Sequence, residues 1–160
     1  VGGSQQLGYR PGTESIAAVV GMAKALEIAH RGGGTAADRM RAQRDRLEAR
    51  LKQAAPCVIT GAEPRLPQTT NVAFPGLDCQ AVHMALDLAG VACSIGSACA
   101  SGASEPSTVL LAMRLPAQIV ESSLRFSLGA FTTREDIDLA ARRIIDAIGR
   151  LQQGRRTNGR

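Results

Sequence analysis

Short apolar segments that end at a glycine or a proline follow one another after Pro56, and this pattern limits the fold most. Four of them have the length of strands: Cys57 to Thr60, Asn71 to Phe74, Val91 to Ile95 and Leu124 to Leu128. Helical patterns separate or follow them at Asp78 to Ala89, Pro106 to Met113, Ala117 to Ser122, and after Thr132-Thr133-Arg134-Glu135, which we interpret as a capping box. Strands that alternate with helices predict a small domain that mixes helices and strands, with an α+β or α/β architecture.

Two helical patterns precede this region. Ser15 is placed to cap a helix from Ile16 to about His30, which is apolar on most sides and is expected to be largely buried. The Gly32-Gly33-Gly34 run is expected to end that helix. A second helix is then expected from Thr35 to about Gln53, so the α/β domain follows a long helical connection.

Composition excludes several classes of protein. The chain has 160 residues, of which 44% are apolar and 2% aromatic, so it suits one domain with a sizeable core. It has no stretch of about 20 apolar residues that would span a bilayer, and too few aromatic residues to stack the bases of a single-stranded nucleic acid. It shows no secretory signal, so a cytoplasmic location with reduced thiols is expected.

The positive charge is concentrated in one helical segment. The net charge is +5, and five arginines lie between Arg39 and Arg50, interleaved with acidic residues. Arg44 and Glu48 are four residues apart, a spacing typical of ion pairs on a helix surface. We therefore expect a solvated face here rather than a nucleic-acid site, because no reading motif accompanies the charges. The last seven residues, Gly154 to Arg160, are basic and polar and are expected to be frayed.

One of the four cysteines lies in a setting of its own. Cys57, Cys79 and Cys93 have apolar neighbours, and we interpret them as small buried side chains. Cys99 lies within Gly96 to Ser104, a run of mostly glycine, serine and alanine that predicts a mobile surface loop. A thiol on such a loop suits a nucleophile that visits one site and delivers to another. An incidental cysteine on a flexible loop is an equal alternative from composition alone.

Two further segments are candidates for anion binding. Arg125 lies in an otherwise apolar strand that is expected to be at least half buried, where its planar fork suits a carboxylate. A structural ion pair with an acidic residue of this chain is the commoner explanation of such an arginine. Arg10-Pro11-Gly12-Thr13 precedes a helix, so its backbone N–H groups and the Thr13 hydroxyl could cradle a phosphate, although the signal is weak on its own.

These segments, taken in order, resemble the carboxy-terminal part of class I cysteine desulfurases, in the aminotransferase class V family. The resemblance covers residues 2 to about 148 and is carried by these motifs: Gly2-Gly3-x-Gln5, Arg10-x-Gly12-Thr13, Gly96-Ser97-Ala98-Cys99, Ser104-Glu105-Pro106-Ser107, Ser123-Leu124-Arg125-Phe126-Ser127-Leu128-Gly129 and Thr132-Thr133-x-Glu135. It implies the end of the large domain plus the small α/β carboxy-terminal domain of a fold-type I transferase that depends on pyridoxal 5'-phosphate (PLP). The corresponding expected divisions are 1–33, 34–153 and a basic tail at 154–160.

The resemblance also implies a role for each candidate residue. Cys99 would take sulfur from L-cysteine and hold it as a persulfide. Arg125 would bind the substrate α-carboxylate, and Thr13 would reach the PLP phosphate of the other subunit in a homodimer. No metal is implied; the implied partner is a sulfur acceptor, for iron–sulfur cluster assembly or thiolation.

The chain departs from the family in its lysines. The family holds PLP on a lysine in a Ser-x-His-Lys setting, upstream of the Gly-Gly-x-Gln segment. Lys24 and Lys52 are the only lysines here, and both lie in helical patterns outside the motifs. We therefore expect this chain to be an incomplete desulfurase that is inactive alone. The alternative is a non-catalytic module of the same fold that accepts sulfur or binds a scaffold.

Overall fold

The computed structural model describes residues 2–96 and 106–158. The chain divides into two compact units, Val1–Ala36 and Ala37–Arg160. A 3-10 turn at Gln5–Gly8 comes first, and the first helix is α1 (Ile16–Ala54). The remaining elements are β1 (Val58–Thr60), β2 (Thr69–Ala73), α2 (Cys79–Leu88), β3 (Ser94–Ile95), α3 (Thr108–Ala112), α4 (Ala117–Glu121), β4 (Ser123–Ser127) and α5 (Arg134–Asn158).

The four strands form one antiparallel sheet in the order β1-β2-β4-β3. The mixed α/β fold expected from the pattern is therefore confirmed. The third strand is shorter than expected, because it pairs with β4 only at Ser94 and Ile95 and residues 91–93 have no strand partner. All four strands contribute to one layer with two distinct faces.

The core lies between one face of the sheet and three helices. Val72, Leu124 and Phe126 point to this face from the two central strands, because alternate residues of a strand share a face. Helices α2, α5 and the second half of α1 cover them with the buried side chains Leu47, Leu51, Val82, Leu86, Ile137, Ala141, Ile144, Ala147 and Ile148. On the opposite face, Asn71 and Arg125 are at least partly exposed, whereas Ala73 and Ser123 are buried.

Helix α1 passes through the Gly32-Gly33-Gly34 run without a break. The expected division into two helices at these glycines is wrong. Glycine destabilises a helix by about 1 kcal/mol relative to alanine, but it can adopt helical dihedrals without a steric clash. The run therefore weakens α1 locally without ending it, and the helix ends just before Pro56, as expected.

The apolar residues at the start of α1 are exposed, contrary to the burial expected for them. The exposed fractions of Val19, Val20, Met22, Leu26 and Ile28 lie between 53% and 63%. A helix that is apolar on most sides is buried only where another surface packs on it. In the unit Val1–Ala36 the described elements are this helix and the 3-10 turn alone, so this unit offers no second layer.

Gly90 ends helix α2, as its position predicts. The N–H of Gly90 donates to the carbonyl of Asp87, and the N–H of Val91 donates to that of Leu86, both at 2.8 Å. This is the Schellman arrangement, which requires a left-handed residue after the last helical turn. Gly90 has a φ of +71°, which glycine adopts at no steric cost.

Helix α5 begins one residue later and ends later than expected. Thr133, rather than Thr132, caps it: the N–H of Asp136 donates to Thr133 Oγ1 at 3.1 Å, and the N–H of Thr133 donates to the Asp136 carboxylate at 3.0 Å. The Thr132 hydroxyl instead accepts from the N–H of Gly129. The basic segment expected to be frayed continues the helix through Asn158, since each added residue extends an existing helix by one hydrogen bond.

The charged segment of α1 is only partly solvated, and the solvated face expected for it is wrong at Arg44 and Glu48. Arg44 is 2% exposed and Glu48 5%. Arg65, from the loop between β1 and β2, donates two hydrogen bonds to Glu48 at 2.6 and 2.9 Å. Arg44 donates to the carbonyl of Leu66 at 2.9 Å and to Glu63 at 3.3 Å. The loop thus shields these ions from water and fixes itself on α1.

Candidate carboxylate-binding site

A row of polar side chains crosses all four strands on the face opposite the core. Thr60 pairs with Asn71, Asn71 with Arg125, and Arg125 with Ser94. Directly opposite residues of antiparallel strands project from the same face, with Cβ atoms about 4.5–5.5 Å apart. The sheet therefore brings together four residues that are far apart in the sequence.

Arg125 lies at the centre of this row. It is exposed, whereas its neighbours Leu124 and Phe126 are buried, so the expected half-buried position is wrong. The reason is the two-residue period of the strand, which puts Arg125 on the polar face while its neighbours face the core. Its Nη2 donates a long hydrogen bond of 3.4 Å to Ser94 Oγ.

Arg125 makes no ion pair with an acidic residue within 2–96 and 106–158. The salt bridges of those segments involve other arginines and Lys24. The structural ion pair that we considered as an alternative is thus not found in these segments. The guanidinium has five N–H donors, and its one hydrogen bond within the described residues is the long one to Ser94. Its planar fork can therefore still donate two hydrogen bonds to a carboxylate.

Arg125 lines a cavity of about 230 Å³ above the polar row. The other lining residues come from the strands and from the region of α3: Thr60, Gly61, Thr69, Asn71, Gly96, Ser107, Val109, Leu110 and Met113. An added Cβ at Gly96 would lie 3.0 Å from the Cβ of Ser107, so these two residues are in close approach. Gly96 and Ser107, two described residues on either side of the segment 97–105, thus both line this cavity.

Cys99 lies outside the described residues, so its setting stays a prediction. The other three cysteines are free thiols. Burial raises the pKa of Cys57 and of Cys79, and burial together with Asp87 raises the pKa of Cys93 to about 11. Because the thiolate is the reactive form, these three thiols are poor nucleophiles at neutral pH.

Thr13 lies in the exposed segment that precedes α1. Arg10 Nη1 donates to the carbonyls of Gly12 and Thr13, each at 3.2 Å. The N–H of Gly12 donates to the Gln5 side chain at 3.2 Å. These contacts hold the backbone of the segment and leave the Thr13 hydroxyl with no partner among the described residues, so it is available to an anion.

Neither lysine fits the attachment of PLP. Lys24 is exposed on α1 and pairs with Glu27 at 2.9 Å. Lys52 is exposed near the end of the same helix. A Schiff-base lysine needs a pocket that lowers its pKa or holds the carbonyl against it, and Lys52 does not line the cavity of Arg125. The cavity that Arg125 lines therefore has no lysine among its described lining residues.

The sequence alone did not indicate Asn71 and Thr60 as members of this polar row. Thr60 Oγ1 donates to Asn71 Oδ1 at 2.6 Å. An asparagine in the middle of a strand whose alternate positions are buried indicates a polar position on the opposite face of the sheet, because such a residue points away from the core. This pattern does not by itself connect Asn71 with Arg125; only the pairing of β2 with β4 places the two residues opposite each other.

A metal-binding cluster and a membrane-spanning helix are both absent from the described segments. No group of three or more histidine, cysteine or acidic side chains is arranged to hold a metal ion there. None of the helices there is long and apolar enough to cross a membrane.

Known proteins resemble this chain over most of its length. The chain is 41% identical over 160 residues to a cysteine desulfurase of Bradyrhizobium diazoefficiens, across 99% of the chain and 41% of that protein. It is 37% identical to the cysteine desulfurase NifS of Azotobacter vinelandii, across 94% of the chain and 38% of that protein. The resemblance to cysteine desulfurases expected from the motifs is confirmed, and the chain spans about two fifths of the length of these relatives.

The fold leads to the same family. The X-ray structure of a NifS-like protein from Rickettsia africae superposes with a TM-score of 0.78 at 27% identity, over 92% of this chain and 38% of that one. This match supports the expected relation to fold-type I transferases. The family model for aminotransferase class-V matches residues 3–139. Class-V aminotransferases depend in general on PLP. The chain therefore belongs to the aminotransferase class-V family.

Proposed function

We propose that this chain is the thiol-bearing, carboxylate-binding part of a PLP-dependent cysteine desulfurase. The observation that carries the proposal is Arg125, whose guanidinium lines a cavity and has no acidic partner among the described residues. An α-amino acid substrate needs such a group to hold its carboxylate. The similarity to cysteine desulfurases supports L-cysteine as that substrate.

In this proposal Cys99 accepts the sulfur. The C–S bond of L-cysteine breaks, an S–S bond forms at Cys99, and L-alanine leaves. Cys99 is three residues from Gly96, a distance of about 10 Å at full extension, so its thiol can reach the cavity that Gly96 lines. The raised pKa values of the other three thiols support Cys99 as the nucleophile.

The cofactor requires residues that this chain does not provide. PLP supplies the electron sink of such chemistry when it is bound, and Thr13 would hold its phosphate in the other subunit of a homodimer. The lysine would come from a further part of the protein. We propose the divisions 1–33, 34–153 and 154–160 on the same basis, with the second as the small domain.

The proposed partners are a sulfur acceptor, for iron–sulfur cluster assembly or thiolation, and a second copy of the chain. A cytoplasmic location suits a reactive persulfide, because thiols stay reduced there. The second candidate is a non-catalytic module that accepts sulfur or binds a scaffold. It is favoured by one observation, the exposed positions of Lys24 and Lys52 on the surface of α1.

The test begins with the purified chain and PLP. We expect no visible chromophore that borohydride fixes to Lys24 or Lys52. The chain is then combined with a part that carries the PLP lysine, and alanine and persulfide are measured with L-cysteine. Formation of both supports the desulfurase. Alanine formation with no persulfide on Cys99 contradicts the role of Cys99, and no turnover together with sulfur uptake from a donor supports the non-catalytic module.

A further inference from the structure

We propose that Asn71 is a second residue that binds the substrate carboxylate, and that Thr60 holds its side-chain amide in the donating orientation. The inference rests on the proposed function, because it takes Arg125 as the first carboxylate ligand. The juxtaposition that suggests it is the pairing of Asn71 with Arg125 across β2 and β4.

The orientation of the amide follows from the contact with Thr60. Thr60 is 8% exposed, and its hydroxyl lies 2.6 Å from Asn71 Oδ1 and 3.5 Å from the Asn71 carbonyl. An amide oxygen only accepts hydrogen bonds, so the hydroxyl must donate. The amide oxygen is thereby held toward β1, and Nδ2 is turned away from that strand. Nδ2 has no acceptor in residues 2–96 and 106–158.

The row has more donors than acceptors. Arg125 offers five N–H groups and Asn71 two, whereas Ser94 Oγ is the acceptor that Arg125 uses in the row. A carboxylate has two oxygens with about four lone-pair positions, so one oxygen can accept from Asn71 while both face the guanidinium fork. The excess of donors in one cavity thus matches a carboxylate, which only accepts hydrogen bonds, and does not match a cation.

A structural role for Asn71 makes a different prediction. If Asn71 served only to join β1 to β2, its loss would lower the stability of the sheet and leave substrate affinity alone. If it binds the carboxylate, its loss raises KM for L-cysteine and leaves kcat nearly unchanged, because the carboxylate keeps its charge throughout the reaction.

The test uses the desulfurase assembled from this chain and the part that carries the PLP lysine. We expect Asn71→Ala to raise KM for L-cysteine about 10- to 100-fold, as for the loss of one hydrogen bond to a charged group. Asn71→Asp keeps the shape but competes for Arg125, so it should raise KM more. Thr60→Val should raise KM by a smaller factor than Asn71→Ala, and Thr60→Ser should retain the KM of the wild type. Ser127→Ala, on the same face of β4 and outside this cavity, is the matched control.

Inhibition separates the carboxylate from the rest of the substrate. Asn71→Ala should weaken inhibition by L-alanine by the same factor as it raises KM, and should leave inhibition by L-alaninamide unchanged. An unchanged KM in both Asn71 variants, with a raised KM in Arg125→Ala, would overturn this inference and leave the proposed function standing. An unchanged KM in Arg125→Ala would instead contradict the proposed carboxylate site itself.

Discussion

Arg46 holds Asp138 by two parallel hydrogen bonds of 2.8 Å, although 92 residues separate them in the sequence. Arg50, one turn further along α1, donates to the same carboxylate at 2.7 Å. The second half of α1 is thereby fixed to the first turns of α5. Both helices cover the core face of the sheet. The ion cluster therefore links two of the three helices that pack on the core.

The first prediction concerns the acid stability that this cluster provides. Hydrogen bonds from Arg46, with the charges of Arg46 and Arg50, lower the pKa of Asp138 to about 2, against about 3.9 in an unfolded chain. A lowered pKa stabilises the fold above the unfolded value, and that stability is lost as the pH falls from about 4 toward 2. We expect Asp138→Asn to be less stable at pH 7 and to lose less stability than the wild type between pH 5 and pH 2.

The measurement is the midpoint of urea unfolding at each pH. Asp146→Asn is the control, because Asp146 is exposed and makes no ion pair within the described segments. Equal losses of stability on acidification in Asp138→Asn and in the wild type would contradict the prediction.

The second prediction concerns Arg125 in the assembled desulfurase. Arg125→Ala should lower kcat/KM for L-cysteine by about 100-fold or more, because the carboxylate loses hydrogen bonds to a charged fork. The free energy of unfolding should change by less than about 0.5 kcal/mol, since the side chain is exposed. Steady-state kinetics and urea unfolding measure the two effects.

Arg142→Ala provides the comparison for this variant. Arg142 is an exposed arginine on α5 and does not line the cavity. Its removal should leave both kinetics and stability as they are. A loss of stability in Arg125→Ala that matched its loss of activity would point to a structural role for this arginine.

The third prediction concerns the choice of thiol. In the assembled desulfurase, Cys99→Ser should abolish persulfide formation, because a hydroxyl cannot accept sulfur to form an S–S bond. Cys57→Ala should retain it, since burial raises the pKa of the Cys57 thiol and so reduces its thiolate. Mass spectrometry of the protein after incubation with L-cysteine locates the added sulfur. Persulfide on Cys57, Cys79 or Cys93 with none on Cys99 would refute the assignment.

The fourth prediction concerns the glycine run in α1. At Gly32 and Gly34 an added Cβ meets no atom within 4 Å, so alanine fits the helix at both positions. Each change to alanine should stabilise the helix by about 0.5–1 kcal/mol. Helical circular dichroism at 222 nm and amide hydrogen exchange of α1 measure this gain.

Gly90→Ala should have the opposite effect on stability from the alanine substitutions in α1. Its φ is +71°, and the added Cβ would lie 3.0 Å from Arg143 Nη1. This variant should lose stability. A loss of helix in the Gly32→Ala or Gly34→Ala variant would show that the run needs dihedrals that alanine disfavours, and would restore the break first expected from the sequence.

Local pattern determined much of this protein by itself. The strands near Cys57, Asn71 and Leu124 and the helix ended by Gly90 follow from periodicity and turn residues, because those signals act within a few residues. The same applies to the motifs that place the chain among cysteine desulfurase relatives. The sequence predicted the ends of the helices less well. The capping residue of α5 is Thr133 and not Thr132, and the glycine run does not end α1.

The tertiary structure decided what the charges do. Sequence spacing put Arg44 and Glu48 on one helix face, but only the loop that carries Arg65 buries them. Sequence also marked Arg125, but only the antiparallel register sets it opposite Asn71 and beside Ser94. Strand register and burial depend on residues that are distant in the sequence. A local pattern therefore does not indicate which distant residue a given side chain contacts.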